Sequence, residues 1–415
     1  MVSINEDISL PGSDLPVLEG LRKKGKKSFL AQGLPTPKTE TWKYTKTREL
    51  NADDFIITPT QSDHNCACNC HDKTLNFDAY ELKFCNGKLC HNHFHLPPKI
   101  EAMTLLDAIK DKQTNKYLNQ NINIDNFPFA ALNTAYLEQG VFIRIAKDFI
   151  GDKPLALIYH TDDKQKYFNN IRNIIVAESN SQIQVIEYYY HTGDIKAQYF
   201  NNIVNEFYIG KHAVLTHYKV QNEAFKAVHI ALNSVFAKGY GKYQSITLQK
   251  GANLARNETK VHLTEEYAEA LVNAAYIING WACVDTTTNI EHLATHTYSN
   301  QLVKGVIGEQ AKGVFQGKIH IAPNAVKTQG YQLHKALILS DDAEVDVKPE
   351  LEIFADDVKC SHGATCGEIN AEQLFYLCSR GIDKQTAKQI LIEAFIDEIF
   401  ENISNSDIKS WFKSF

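Results

Sequence analysis

The 415-residue sequence predicts a mainly β protein, and among β architectures it favours a β-solenoid. Short alternating or β-branched runs recur between Val141 and Ala355, and for about two hundred residues no amphipathic helix separates them, which excludes a doubly wound α/β fold. The remaining architectures with many short strands are a sandwich, a propeller and a solenoid. Asn-Gly hairpin turns do not recur between the runs, whereas Asn, Gly and Asp recur at their ends, as solenoid corners require.

The composition is that of an ordinary globular protein, with 44% hydrophobic and 22% charged residues. The net charge of -6 argues against a nucleic-acid-binding protein, which would need a basic surface. No apolar run approaches the roughly 20 residues of a membrane span, and the acidic N-terminus lacks the regions of a signal peptide. We therefore expect a cytosolic (cytoplasmic) protein whose nine cysteines are thiols or metal ligands rather than disulfides.

Residues 1–139 are predicted to form a mixed, mostly helical region. The first helix is expected over Asp14–Gln32, with Ser13 as its N-cap, because its apolar positions have helical spacing. The same spacing predicts helices over Ile100–Leu118 and Phe127–Glu138.

The most unusual local feature is a run of three thiols at alternate positions followed by an imidazole: Cys66, Cys68, Cys70 and His71. Such donors could bind a soft metal, but the spacing is not the Cys-x-x-Cys knuckle of structural zinc sites. The polar neighbours favour an exposed loop with incidental cysteines. The alternative is a cytosolic metal-binding β-solenoid protein whose site extends from Cys66 to His95.

Residues 140–367 are predicted to form the β core. The expected strands are Val141–Ile145, Leu155–Ile158, Ile171–Ala177, Gln182–Tyr190, Ile203–Ile209, Val214–Gln221, Ile230–Phe236, Tyr243–Leu248, Ala268–Ile278, Val284–Ile290, Val314–Ile321, Gln332–Leu339, Glu344–Val347 and Leu351–Ala355.

The end of this core carries candidate chemistry, a thiol and an imidazole two positions apart at Cys360 and His362. Residues i and i+2 of a strand point to the same face, so the two side chains project together if the strand that begins at Leu351 continues this far. Such a pair can accept a persulfide sulfur or an iron. It can equally be a buried thiol beside a satisfied imidazole, and the residues alone leave both interpretations open.

Residues 368–415 are predicted to be helical. A short helix over Ala371–Arg380 ends at Gly381, and a longer one over Asp383–Ile403 has Asp383 as its N-cap. The longer helix has a wide apolar stripe, which either packs on the end of the solenoid or docks a partner.

Several common catalytic motifs are missing from the sequence: there is no phosphate-binding loop, no Gly-x-Ser-x-Gly elbow and no His-Glu-x-x-His helix. A solenoid acyltransferase or lyase would show a hexapeptide period or an acidic cleft, and we find neither. The histidines of the strand region, His292, His296 and His334, are expected to be structural. We therefore predict no enzyme and no catalytic residues.

The segment DDVKCSHGATCG at 356–367, followed by LFYLCSRGI at 374–382, resembles the C-terminal signature of the SufD family of Fe–S cluster assembly proteins. Gly363 stands where the related SufB proteins have an acidic residue. Further segments resemble that family in the same order and span nearly the whole chain: GLPTPKTETWKYT at 33–45, ARNETKVHL at 255–263, GVFQGKI at 313–319 and LSDDAEVDVKPELEI at 339–353.

The resemblance implies a right-handed parallel β-helix, flanked by helical N-terminal and C-terminal regions. It implies a non-enzymatic scaffold subunit of the Suf complex that pairs with SufB through the β-helix and binds the SufC ATPase through its C-terminal helices. An isolated chain is then expected to form a homodimer.

In the same resemblance, Cys360 and His362 lie at the SufB interface, where they ligate iron or sulfur of a transient, nascent Fe–S cluster. Flavin is a candidate cofactor of such complexes. The residues expected to bind SufC are Leu374, Phe375, Arg380, Leu391, Phe395 and Ile399.

Overall fold

The computed structural model describes residues 10–51, 56–57, 74–90 and 95–415. The helices are α1 (Pro16–Gln32), α2 (Leu105–Lys110), α3 (Pro128–Ala135), α4 (Ala371–Ser379), α5 (Lys384–Phe400) and α6 (Ser406–Lys413). Short 3₁₀ helices lie at Glu40–Trp42, Thr47–Asn51, Gln113–Lys116 and Ile124–Asn126.

The strands fall into two sheets, which we call sheet A and sheet B. Sheet A contains β1 (Ile56–Ile57), β4 (Ile100–Thr104), β5 (Val141–Ile145), β7 (Tyr167–Ala177), β9 (Phe200–Ile209), β11 (Val228–Ala237), β13 (Leu254–Leu263), β15 (Cys283–His292), β17 (Lys312–Ile321) and β19 (Glu344–Ile353). Sheet B contains β2 (Tyr80–Cys85), β3 (Lys88–Leu89), β6 (Leu155–Thr161), β8 (Gln182–His191), β10 (Val214–Glu223), β12 (Lys242–Gly251), β14 (Glu269–Ile278), β16 (Tyr298–Ile307), β18 (Gln329–Ile338) and β20 (Lys359–Gly367).

From β5 onward the chain alternates between the two sheets, and successive strands of each sheet are parallel. Leu254 of β13 lies beside Val228 of β11, 26 residues earlier, whereas Val214 of β10 lies beside Gln182 of β8, 32 residues earlier. Each coil therefore supplies one strand to each sheet, and the strand in the other sheet serves as the crossover that parallel pairing requires. The predicted β-solenoid with helical regions at both ends is confirmed.

The core lies between the sheets, where side chains of successive coils stack in register. Phe207, Val235 and Val261 occupy equivalent positions on three successive strands of sheet A. They share a core cluster with Leu215 and Tyr243 of sheet B, and all five are at most 1% exposed. Fully burying such a side chain contributes roughly 1.5–3 kcal/mol, so each added coil extends the same core.

The N-terminal helices cover the outer face of sheet A. Gly25 lets α1 approach α3 closely, because a Cβ at that position would lie 2.5 Å from the backbone nitrogen of Ala135. Trp42 packs on Phe129, with 5.4 Å between the ring centroids, and the guanidinium of Arg256 in β13 lies 4.3 Å from the Trp42 ring centroid. Two of the segments that carry the family resemblance therefore meet at this contact.

Two expectations for this region are wrong. The segment Ile100–Leu118 is not one helix, because β4 pairs with β5 and only α2 and a 3₁₀ helix follow it. The hydroxyl of Ser13 donates to the carbonyl oxygen of Leu10 and does not cap α1. That helix begins at Pro16, whose fixed φ suits the first helical position.

One corner of the solenoid is lined by four stacked rings, His212, Tyr240, Tyr267 and His296. Successive ring centroids are 4.7, 4.8 and 4.8 Å apart, and the rings are within 16° of parallel. All four residues have left-handed backbones with φ between 57° and 60°. This conformation costs a non-glycine residue roughly 1–2 kcal/mol, which the stacking partly offsets.

Candidate functional site

Cys360 and His362 lie on β20, the last strand of sheet B. The strand that contains Leu351 does not continue to these residues, because β19 ends at Ile353 and the chain turns before β20 begins at Lys359. The two side chains nevertheless share one face of β20, since the residues are two positions apart on one strand.

The pairing of β20 with β18 shows which face the two side chains share. His362 lies beside Gln332 and Cys360 beside Gly330. Gln332 is 2% exposed, so its side chain points into the solenoid. His362 and Cys360, which alternate in step with it, therefore lie on the inward face of β20. β19 and β20 contact each other and form the last coil in the part of the chain that the structure describes, so no further coil covers this end of the solenoid. We call the inward face of β20 the open face, because it is accessible from this end: Cys360 is half-buried and His362 is exposed.

A third soft donor, Cys366, shares this face and was not predicted. It lies beside Ala336 in β18 and is exposed. Its even separation of six positions from Cys360 is the sequence signal that could have identified it. The open face therefore presents two thiols and one imidazole along a single strand.

The environment of Cys360 favours the protonated form of its thiol. Burial raises its pKa, and a hydrogen bond with the backbone of Gly330 only partly opposes that effect. A metal ion or another positive charge must then arrive before the sulfur becomes a good ligand, since the thiolate is the form that binds metals. The exposed imidazole of His362 has no such requirement when it is neutral.

Behind the open face lies a set of buried polar side chains, which we call the polar recess: Gln301, Gln332 and His334. Gln301 and Gln332 are neighbours in register, and His334 is hydrogen-bonded through Nε2 to the Tyr276 hydroxyl at 2.9 Å. Both polar ends of Gln301, the Gln332 Oε1 and the His334 Nδ1 are buried without a hydrogen-bond partner among the described residues. Such groups usually bind water or a ligand, so we expect the recess to hold one or the other behind the site.

Glycines make room for Tyr276 beside this recess. A Cβ at Gly305 would lie 2.1 Å from its Cζ, and a Cβ at Gly313 would lie 2.6 Å from its hydroxyl oxygen. The ring thus occupies a slot that no larger residue permits, and this slot places the hydroxyl against His334.

The strand-region histidines have the structural contacts expected of them. His292 is hydrogen-bonded to Thr297 and Ser299, both at 2.8 Å, and burial lowers its pKa to about 3. Burial likewise lowers the pKa of His334 to about 4. His296 is part of the corner stack.

The C-terminal helices divide into an anchored and an exposed part. The second half of α5 packs on sheet B through Ile396, Ile399 and Phe400, which are at most 5% exposed. The carboxylate of Glu398 forms ion pairs with Lys304 and Lys335 of that sheet.

The exposed part consists of α4 and the first half of α5. Phe375 is 75% exposed, Tyr376 62% and Ile390 39%. Among the other residues expected to bind a partner, Arg380 is exposed, whereas Leu374, Leu391 and Phe395 are half-buried. Ile399 is fully buried against the chain's own solenoid, so it is not accessible to a partner in this conformation.

The run of Cys66, Cys68, Cys70 and His71, for which metal binding is the alternative interpretation, lies outside the described residues. Across the described ranges, no group of three or more His, Cys, Asp and Glu side chains is arranged to hold a metal ion. Nor do these ranges include a helix long and apolar enough to span a membrane.

Two family models match consecutive parts of the chain. The SufBD protein N-terminal region matches residues 6–157, and the SufBD core domain of the SUF system for FeS cluster assembly matches residues 159–395. An iron–sulfur cluster assembly SufBD family protein of Synechocystis is 32% identical over 97% of this chain and 91% of its own length. The iron–sulfur cluster assembly protein SufD of Escherichia coli is 30% identical over 92% of this chain and 88% of its own. The protein of that name in Bacillus subtilis is 26% identical over 74% and 70%.

Proposed function

The chain belongs to the SufBD family of iron–sulfur cluster assembly proteins, and on that premise we propose that it is a non-catalytic scaffold subunit of the SufD type. Its role in Fe–S cluster assembly follows from the family. The proposal adds that it pairs with SufB and binds the SufC ATPase, and that the assembled complex builds and transfers nascent clusters.

The observation that carries the proposal is the row of donors on the open face of β20: Cys360 and His362 lie two positions apart, and Cys366 lies further along the strand, so a partner must complete any iron site. Thiols and imidazoles are the protein ligands that iron and Fe–S clusters use. In this proposal His362 is the principal ligand, because its imidazole is exposed. Cys360 supports it, because its thiol must first lose a proton.

Pairing with SufB is supported by the unpaired strand edges of the last coil. Both β19 and β20 have one edge without a neighbouring strand in the described part of the chain. Unpaired strand edges are templates for strands of another chain. Ile353 and Phe354, which are 41% and 61% exposed, lie where β19 ends. A partner that covered these edges would also cover Cys360 and His362.

Binding of SufC is assigned to the exposed part of α4 and α5. Phe375, Tyr376 and Ile390 present apolar surface that the solenoid does not cover, and Arg380 adds a positive charge. The anchored half of α5 holds this surface in place. We leave Ile399 out of the docking surface because it is buried.

Flavin is not part of the proposal, and in two grooves of the described chain the cations that could meet its phosphates already have partners. The groove at Trp42 contains Arg256, Lys318 and Lys348, and each of these cations already pairs with a carboxylate. In the groove between sheet B and α5, Lys413 pairs with Asp397 and Lys250 bonds to the carbonyl oxygen of Phe415.

We place the chain in the cytosol, where thiols such as Cys360 and Cys366 stay reduced. Co-expression with SufB and SufC and purification through a tag on SufB test the proposal. We expect all three chains to elute together with iron and acid-labile sulfide. Elution of SufB and SufC without this chain would contradict it.

A further inference from the structure

A second cysteine–histidine pair lies at the other end of the solenoid from Cys360, on the neighbouring strands β2 and β6 of sheet B. Cys85 of β2 lies directly beside His160 of β6, and the distance between its Sγ and the imidazole Nδ1 is 3.5 Å. The other ring nitrogen, Nε2, is 2.7 Å from the hydroxyl oxygen of Thr192, which follows β8. The thiol, the imidazole and the hydroxyl therefore form one connected row.

A tight turn fixes the position of Cys85. Asn86 and Gly87 follow it with φ of 49° and 78°, the turn type that suits a two-residue hairpin. The backbone nitrogen of Asn86 donates to the carbonyl oxygen of His160 at 2.8 Å. At Gly87 a Cβ would lie 3.2 Å from the Cα of Asn169, so only glycine fits without a shift. Both members of the pair are thus held on rigid strands.

The surroundings favour a neutral imidazole that faces the thiol with a lone pair. His160 is 7% exposed, and burial lowers its pKa. When Nε2–H donates to the Thr192 oxygen, Nδ1 is the unprotonated nitrogen and can take the proton of Cys85. A thiol, a base and a group that orients the base are the components of an activated cysteine nucleophile.

We propose that Cys85 is a nucleophilic thiol that accepts the sulfane sulfur of a persulfide, with His160 as its base and Thr192 as the residue that positions the imidazole. This inference rests on the proposed function, because Fe–S assembly consumes sulfur. The described side chains supply a nucleophile and a proton acceptor. Sulfur transfer needs little more, since its leaving group is itself a thiolate.

The step is balanced without an external oxidant. Cys85 gives its proton to His160, and the resulting thiolate attacks the terminal sulfur of a persulfide R–S–SH. The S–S bond of the donor breaks, and its electron pair leaves with R–S⁻. That thiolate takes the proton from the imidazolium, which yields R–SH and a persulfide on Cys85.

The first test measures alkylation of individual cysteines by iodoacetamide in the full-length chain, with mass spectrometry, between pH 5.5 and 9. At pH 7 we expect Cys85 to react about tenfold faster in the wild type than in His160→Gln, because an unassisted thiol is only a few per cent thiolate there. Thr192→Val should give an intermediate rate. Cys283 is the internal control, because it is buried and burial raises its pKa to about 11.

His191→Gln is the matched control for loss of a nearby imidazole. Among the described groups, Asp162, His191 and Lys164 act electrostatically on His160, the Tyr190 ring lies 5.0 Å from its ring centroid, and Tyr167 interacts with Cys85, so their effect on the pH profile must be separated from that of the base itself. The assignment would be overturned if the pH midpoint of Cys85 alkylation were unchanged in His160→Gln, or if it shifted equally in His191→Gln.

The second test exposes the isolated chain to glutathione persulfide and quantifies persulfide on each cysteine with a thiol-blocking tag. We expect modification of Cys85 in the wild type and its loss in His160→Gln. This test uses neither SufB nor SufC, so a negative result would count against the role of Cys85 but not against the scaffold function. A wild-type chain in which Cys85 acquires no more persulfide than Cys378 would refute the proposal.

Discussion

His362 lies beside Gln332 in the register of β20 and β18, so an exposed imidazole at the end of the solenoid continues a row of buried amides. The next member of the row is Gln301, which is fully buried and lacks hydrogen-bond partners among the described residues. The candidate ligand is thus the outermost member of a polar row, and the polar recess lies directly behind it.

Replacing this ligand tests the site. We expect His362→Ala to assemble with SufB and SufC but to lower iron and acid-labile sulfide in the complex about tenfold or more, since losing even an outer-shell partner of a metal costs 10–100-fold in affinity. Cys360→Ser should have a smaller effect. His296→Ala, another exposed histidine, is the control. Wild-type cluster content in His362→Ala would contradict the assignment, and loss of the complex would show a structural role.

Phe375→Asp tests the docking surface. Phe375 is 75% exposed, so the chain should fold normally, while burial of one aromatic side chain against SufC would be lost. That burial contributes roughly 1.5–3 kcal/mol, which predicts a dissociation constant about 10- to 100-fold higher. Titration calorimetry with SufC measures the change.

Ile399→Asp is the matched control for this prediction. Ile399 is buried on sheet B, so its replacement should lower solubility or the melting temperature instead. Unchanged SufC affinity in a folded Phe375→Asp chain would remove α4 from the docking surface.

A buried carboxylate predicts how stability depends on pH. Burial by itself would raise the pKa of Glu187, but hydrogen bonds from His217 and Tyr189 and the charge of Lys219 lower it to about 2. The unfolded value is about 4.3, so this group stabilises the fold above that pH, and the contribution disappears as pH falls towards 2.

Glu187→Gln should therefore lower the free energy of unfolding at pH 7, by an amount on the order of 3 kcal/mol, and approach the wild type near pH 2. Urea unfolding at a series of pH values measures the difference. A constant difference across that range would show that Glu187 acts through packing and not through its charge.

Gly305 and Gly308 form a matched pair for testing the slot of Tyr276. An alanine Cβ at Gly305 would meet the ring at 2.1 Å, whereas at Gly308 its nearest contacts are at 3.9 Å. We expect Gly305→Ala to destabilise the protein by about 1–3 kcal/mol and Gly308→Ala to change little. Thermal unfolding compares the two variants. Equal melting temperatures would show that the Tyr276 ring can move to accommodate the added methyl group without loss of stability.

The shared face of Cys360 and His362 was predictable because the two-residue period of a strand is a local property. The strands β13 and β16 were not predicted, because polar residues occupy their buried positions. Arg256 in β13 is buried by Trp42 and Asp285, which come from distant parts of the chain, and Gln301 in β16 faces the interior. A hydrophobic pattern cannot reveal strands whose buried residues are polar.

A proline explains why one strand was predicted as two. The sequence divides 344–355 at Pro349, but β19 runs through it from Glu344 to Ile353. Pro349 pairs with Gly317 on the side of β17, and the other side of β19 is the edge of the sheet. Proline is tolerated on an edge strand, so an interruption in sequence need not be an interruption in structure. That β19 is an edge depends on the whole fold and could not be deduced locally.

The stacked corner also determines where the chain can vary in length. The segments that carry His212, Tyr240, Tyr267 and His296 between their strands hold four or five residues: 210–213, 238–241, 264–268 and 293–297. At the opposite corner the segments range from two residues, 252–253, to eight, 192–199. Rings that must stay in contact do not permit an insertion, whereas the opposite corner already accommodates a fourfold difference in loop size. A peptide tag or reporter loop grafted there would leave both sheets in register.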